Sequence, residues 1–83
     1  MKYEGVCRAR QENIPYLTGD ILEPEIKELR GVSTTMPMSC EKYVDEKYSF
    51  VDVFVPQTRQ FYSFQIEDFN KYFTMLTGWM SAE

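Results

Sequence analysis

The chain has no histidine, only two cysteines and only four glycines in 83 residues, and each scarcity closes off a class of chemistry. Loss of histidine removes the commonest general base and metal ligand. A zinc site needs about four Cys, His or carboxylate ligands, and Cys7 and Cys40 stand too far apart in sequence for a finger or ribbon. Small secreted scaffolds carry larger, tightly spaced cysteine sets, so these two read as reduced, buried thiols in a cytoplasmic protein. Nothing beside either one would generate a thiolate nucleophile. Gly5, Gly19, Gly31 and Gly78 are scattered, so no phosphate-cradling loop is present. Apolar runs are too short to span a membrane, and the N-terminal Met1 to Gly5 has no apolar core of a secretion signal. The acid pairs Asp45-Glu46 and Glu67-Asp68 are sequence neighbours, which do not converge on a substrate as paired catalytic carboxylates must. The expectation is no enzyme, no catalytic residue, no metal and no cofactor.

What is abundant is aromatic surface and acid. Six phenylalanines, six tyrosines and one tryptophan supply large apolar areas to a small core. Hydrophobic residues make up 43% and charged residues 27%, a balance that argues for one compact domain over residues 1–83 rather than disorder. Net charge is −4, and it is uneven. Between Asp20 and Glu46, seven acids face only Lys27, Arg30 and Lys42. Such a surface repels phosphate, so nucleic acid is expected only by way of a partner.

The hairpin signal between Ser49 and Gln65 is the firmest in the chain. Valines 51, 53 and 55 alternate with Phe50, Asp52 and Phe54, so both faces of this strand are largely apolar. A turn at Pro56 to Arg59 pairs Val55 with Gln60, Val53 with Tyr62 and Val51 with Phe64. The same register sets Phe54 beside Phe61, Asp52 beside Ser63 and Phe50 beside Gln65. A one-residue slip would scramble both faces. The valine face reads as core. Phe50, Phe54 and Phe61 are either a second small core under residues 1–45 or an exposed aromatic patch.

Elsewhere, Lys2 to Arg10 alternates as a first strand, and Asn13-Ile14-Pro15 reads as its end. Thr18-Gly19-Asp20 reads as a turn. Pro24 to Arg30 is predicted as a two-turn helix closed by Gly31, with a strand through Asp20–Glu23 as the rival. Thr34 to Glu46 reads as a long connection with room for one short strand. Phe69, Tyr72, Phe73 and Leu76 recur at helical spacing, which predicts a helix from Glu67 to Thr77 stopped by Gly78.

The expected fold is therefore α+β: three or four antiparallel strands with the C-terminal helix on one face. The Tyr16-Leu17-Thr18-Gly19 turn, the strand-like Asp20–Glu23 and the later hairpin resemble small SH3-like barrels of phage accessory proteins, which implies a barrel with a terminal helix as the alternative. In size, acidity and aromatic content the chain also resembles small phage-encoded inhibitors, including anti-CRISPR proteins. That resemblance implies a protein that binds and blocks a larger host protein, and it carries no site residues. The expected function is a non-catalytic, stoichiometric protein-binding module whose partner has a basic surface. The residues expected to bind are Glu41, Tyr43, Asp45, Glu46 and Tyr48, where charge would steer association and tyrosines would anchor it. The alternatives are a nucleic-acid-associated regulator using Phe50, Phe54 and Phe61, and a structural component of a larger particle.

Overall fold

Alternation of side chains, not helical periodicity, organises most of the chain. The computed structural model describes residues 1–20 and 22–83. In chain order the elements are β1 (Lys2–Ala9), β2 (Ile14–Gly19), β3 (Pro24–Leu29), β4 (Met38–Val44), β5 (Ser49–Val55), β6 (Gln60–Gln65), α1 (Ile66–Tyr72), β7 (Phe73–Met75) and β8 (Met80–Ser81). Six strands make one sheet in the order β6-β5-β4-β1-β7, with β8 also pairing β1, and β2 and β3 make a separate hairpin. All the pairings are antiparallel. The expected α+β fold is thus corrected to a mostly β one: the only helix among the described residues has seven residues. The barrel alternative gives way as well, because the sheet is open, ending at β6 on one side and at β7 and β8 on the other.

The β5–β6 hairpin pairs in the register read from the sequence, from Phe50 opposite Gln65 to Val55 opposite Gln60. Its turn closes with the Thr58 and Arg59 amides donating to the Val55 carbonyl. Val51, Val53, Val55 and Phe64 are buried and join Met38 and Cys40 of β4 and Cys7 and Ala9 of β1 in one core. Ile14 and Leu29 of the hairpin, with Phe69 and Phe73, cover that face. Tyr16 meets Tyr62 edge-on at 4.9 Å, which docks the β2–β3 hairpin on the core side of β6.

Three local expectations fail for identifiable reasons. Residues 24–29 form a strand, not a helix, and β2 begins at Ile14, where an end was expected. A two-turn helix gains too little to repay its nucleation, whereas β3 pairs along its whole length with β2. Helical spacing would set Ile26 and Leu29 on one face; the strand separates them, leaving Leu29 buried and Ile26 77% exposed. Gly31 does adopt the left-handed conformation (φ 70°), but beyond a strand. The rival strand through Asp20–Glu23 includes residue 21, which lies outside the described residues. The connection from Thr34 contains the seven-residue β4, which lies inside the sheet between β1 and β5. Its alternation was hidden by Lys42, which points to the core side, where its ammonium lies over the Tyr3 and Trp79 rings at 5.5 and 5.2 Å.

The C-terminal helix ends at Tyr72 instead of Thr77. Phe73, Thr74 and Met75 pair with Ala9, Arg8 and Cys7, so the free edge of β1 captures this segment. Phe73 and Phe69 still stack at 5.3 Å, while Leu76 is exposed. Gly5 of β1 is where this edge packs most closely: a Cβ there would lie 2.5 Å from Met75 Cε and 3.2 Å from Trp79 Cε3. Gly5→Val is expected to cost about 1–3 kcal/mol by overpacking, read as a lower urea midpoint with an unchanged slope.

Candidate functional site

Among the described residues, nothing packs over the second face of the six-stranded sheet. Directly opposed residues of an antiparallel ladder share a face, so the register lays out this surface in rows. One row runs Gln65, Phe50, Tyr43, Lys2, and the next Ser63, Asp52, Glu41, Glu4, Met80. A third carries Phe61 and Phe54, with Ser39 and Val6 further along. The result is a band of acids flanked by two groups of aromatic rings. Tyr43 stacks on Phe50 at 5.0 Å, Tyr48 on Phe50 at 6.1 Å, and Phe54 meets Phe61 at 5.1 Å.

The described residues of the segment 1–45 do not cover the three phenylalanines. Strands β1 and β4 extend the same sheet sideways, and the hairpin and α1 contribute to the opposite, core face. Phe61 is 55% exposed and Tyr48 62%, and none of Phe50, Phe54 and Phe61 joins the core cluster. Of the five residues singled out in the long connection, Glu41 and Tyr43 lie on β4 facing outward. Asp45, Glu46 and Tyr48 lie at the β4–β5 turn, where the Asp45 amide donates to the Tyr48 carbonyl and the Glu46 amide to Asp45 Oδ1. A shallow hollow of about 430 Å³ beside the turn is lined by Tyr43, Asp45, Tyr48, Phe50 and Lys2, among others. The acidic and aromatic candidates, separate in sequence, form one continuous surface.

No family model, curated protein or solved structure shows a significant match to the chain.

Lys2, Glu4, Asp52 and Met80 complete the surface and were not among the residues proposed from sequence. The alternation of β1 could have placed Lys2 and Glu4 on one side of their own strand. That they meet Tyr43 and Glu41 depends on β1 lying beside β4, which no local pattern encodes. Lys2 Nζ sits 3.2 Å from Glu41 Oε2 and 5.8 Å from the centre of the Tyr43 ring. The Tyr43 hydroxyl donates to the same carboxylate oxygen. The hydrogen bond from Tyr43 and the nearby Lys2 ammonium hold the Glu41 carboxyl below its usual range, against the opposing effect of burial. The hydrogen bond to Glu41 in turn raises Tyr43 and Lys2.

A carboxyl lowered on folding stabilises the protein above its unfolded value of about 4.3, and the effect fades as pH falls through the folded value. Glu41→Gln is therefore expected to lower the urea midpoint at pH 7, by a margin that shrinks as pH falls into the acid range. A deficit that persists unchanged at low pH would assign the effect to packing instead of charge.

On the core side, the shared hydrogen bond with Cys40 and burial push the Cys7 thiol far up. Both cysteines are free and buried. Among the described residues, no group of three His, Cys, Asp or Glu side chains could hold a metal ion, and no helix is long and apolar enough to cross a membrane.

Proposed function

We propose that the chain is a non-catalytic protein-binding module that acts stoichiometrically on a larger partner through the open sheet face, as an inhibitor of the kind it resembles. The observation that carries this reading is the uncovered surface where Tyr43, Tyr48, Phe50, Phe54 and Phe61 surround the acids Glu4, Glu41 and Asp52. Aromatic rings supply contact area at low entropy cost and dominate interface hot spots. The acids between the rings, with Asp45 and Glu46 at the neighbouring turn, steer a basic surface toward them. The partner is accordingly a protein with a basic face, and the free thiols of Cys7 and Cys40 suit a reducing cytoplasm.

Stacking of nucleic-acid bases on the same rings is disfavoured by charge. The outward residues of β1, β4 and β5 include three acids against Lys2 and Arg8, and Lys2 is already engaged by Glu41. A labelled single-stranded oligonucleotide is expected not to bind even at low salt; salt-sensitive binding through these rings would replace the protein-binding reading.

The direct test compares wild type with two double variants in affinity capture from the source or host lysate. Asp45→Lys with Glu46→Lys reverses charge at the turn, and Phe54→Ser with Phe61→Ser removes the exposed rings. Both are expected to stay folded and to lose the specifically retained protein. Retention of the same protein by both variants would overturn the proposal.

A further inference from the structure

The open face already contains one cation site, and it is filled from within. Lys2 places its ammonium on the Glu41 carboxylate and over the Tyr43 ring, the two groups that attract a cation most strongly at a protein surface. Three residues of β5 beside it repeat the chemistry without the cation. Asp52 lies directly opposite Glu41 on the same face, with Phe50 and Phe54 following at strand period on either side, each about 7 Å along the chain. Phe61 adds a second ring against Phe54. The Ser63 hydroxyl donates to Asp52 Oδ1, the carboxylate's only side-chain hydrogen bond among the described residues, and no ion pair neutralises it. Glu4, next to Glu41 in the same row, also lacks an ion pair among the described residues.

The geometry points to Asp52, flanked by Phe50, Phe54 and Phe61, as a receptor for an arginine side chain of a protein partner. This rests on the reading of the open face as a protein-binding surface and names the group it recognises. Arginine fits better than lysine for two reasons. Its planar guanidinium stacks on phenyl faces while its edge donates two parallel hydrogen bonds to a carboxylate. It is also more weakly hydrated than an ammonium, so moving it onto an apolar, ring-lined surface costs less. Charge complementarity selects the occupant: an acid row without sufficient internal cations is matched by a basic side chain and not by another copy of this acidic face.

The test is a titration of isotopically labelled full-length protein with a blocked Gly-Arg-Gly peptide, followed by amide and aromatic chemical shifts. The expected perturbations centre on residues 50–54 and 61–63, and the matching Gly-Lys-Gly peptide is expected to bind at least about threefold more weakly. Asp52→Asn, which keeps shape and the serine contact, is expected to weaken the arginine peptide about fivefold to tenfold with an unchanged circular dichroism spectrum. Equal binding of the two peptides, unchanged affinity in Asp52→Asn, or perturbations confined to other surfaces would each overturn the inference. So would concentration-dependent self-association abolished by Phe61→Ser, which would assign the face to a second copy of the chain. The two levels separate cleanly. If Phe54→Ser with Phe61→Ser loses the captured partner while Asp52→Asn keeps it with full affinity, the protein-binding face stands and the arginine receptor falls.

Discussion

Val53→Asp is expected to destabilise the protein severely, while Asp52→Val next to it leaves the fold intact. Val53 is fully buried and lies between Cys40 and Tyr62 on the core side of the sheet. A carboxylate there would sit between Cys40 and Tyr62 with no cation directly opposite, Lys42 being held over the Tyr3 and Trp79 rings, and would cost about 3–5 kcal/mol, the penalty typical of an uncompensated buried charge. Total stability for a domain of this length is about 4–12 kcal/mol, at ~0.05–0.15 kcal/mol per residue, so the substitution removes from about a quarter to all of it. Asp52 points the other way, and valine has good strand propensity at an outward position. Its replacement should stay within about 1 kcal/mol of wild type, since it loses one exposed contact to Ser63. Urea denaturation followed by tryptophan fluorescence distinguishes the two outcomes. Equal destabilisation by both substitutions would mean that the outer face is covered.

Phe73→Ala is expected to be nearly as damaging, at about 3–5 kcal/mol. Phe73 is 1% exposed, stacks on Phe69 at 5.3 Å and meets Phe64 edge-on at 5.2 Å. Its backbone pairs with Ala9, and its carbonyl accepts from Arg10 Nε at 3.0 Å. One ring thus joins α1, β6 and the edge of β1, and its loss leaves a cavity where these three elements meet. The contrast is Leu76→Ala, only three positions on. Leu76 is exposed, so that substitution should change stability by no more than about 0.5 kcal/mol. Under a continuous helix from Glu67 to Thr77, Phe73 and Leu76 would share the apolar stripe and cost comparably. The two midpoints therefore test the helix-to-strand switch directly.

Much of the site was legible, though not as one site. Phe50, Phe54 and Phe61 could be grouped because the hairpin turn and the alternation of β5 agree on a single register. Glu41, Tyr43, Asp45, Glu46 and Tyr48 could be grouped by proximity along the chain. That both groups belong to one surface follows from the pairing of β4 with β5, Tyr43 opposite Phe50 and Glu41 opposite Asp52. This pairing was obscured because Pro37 just before β4, and Glu41 and Lys42 within it, give the segment the composition of a loop.

The sequence by itself determined what is local: the β5–β6 register, the first strand, and the absence of histidine and of cysteine clusters. These follow from alternation, turn residues and composition, which act over a few neighbours. Tertiary structure decided everything that depended on a free partner. The hairpin of β2 and β3 prevailed over a short helix at residues 24–29 because β2 offered a partner edge along the whole length of β3. The unpaired edge of β1 drew Phe73–Met75 out of the helix for the same reason. Backbone donors and acceptors must be satisfied wherever the core excludes water, and the strand edges that satisfy them lie far away in sequence. The same long-range pairing brought Lys2 to Glu41, filling one cation site on the open face and leaving Asp52 without an ion pair among the described residues.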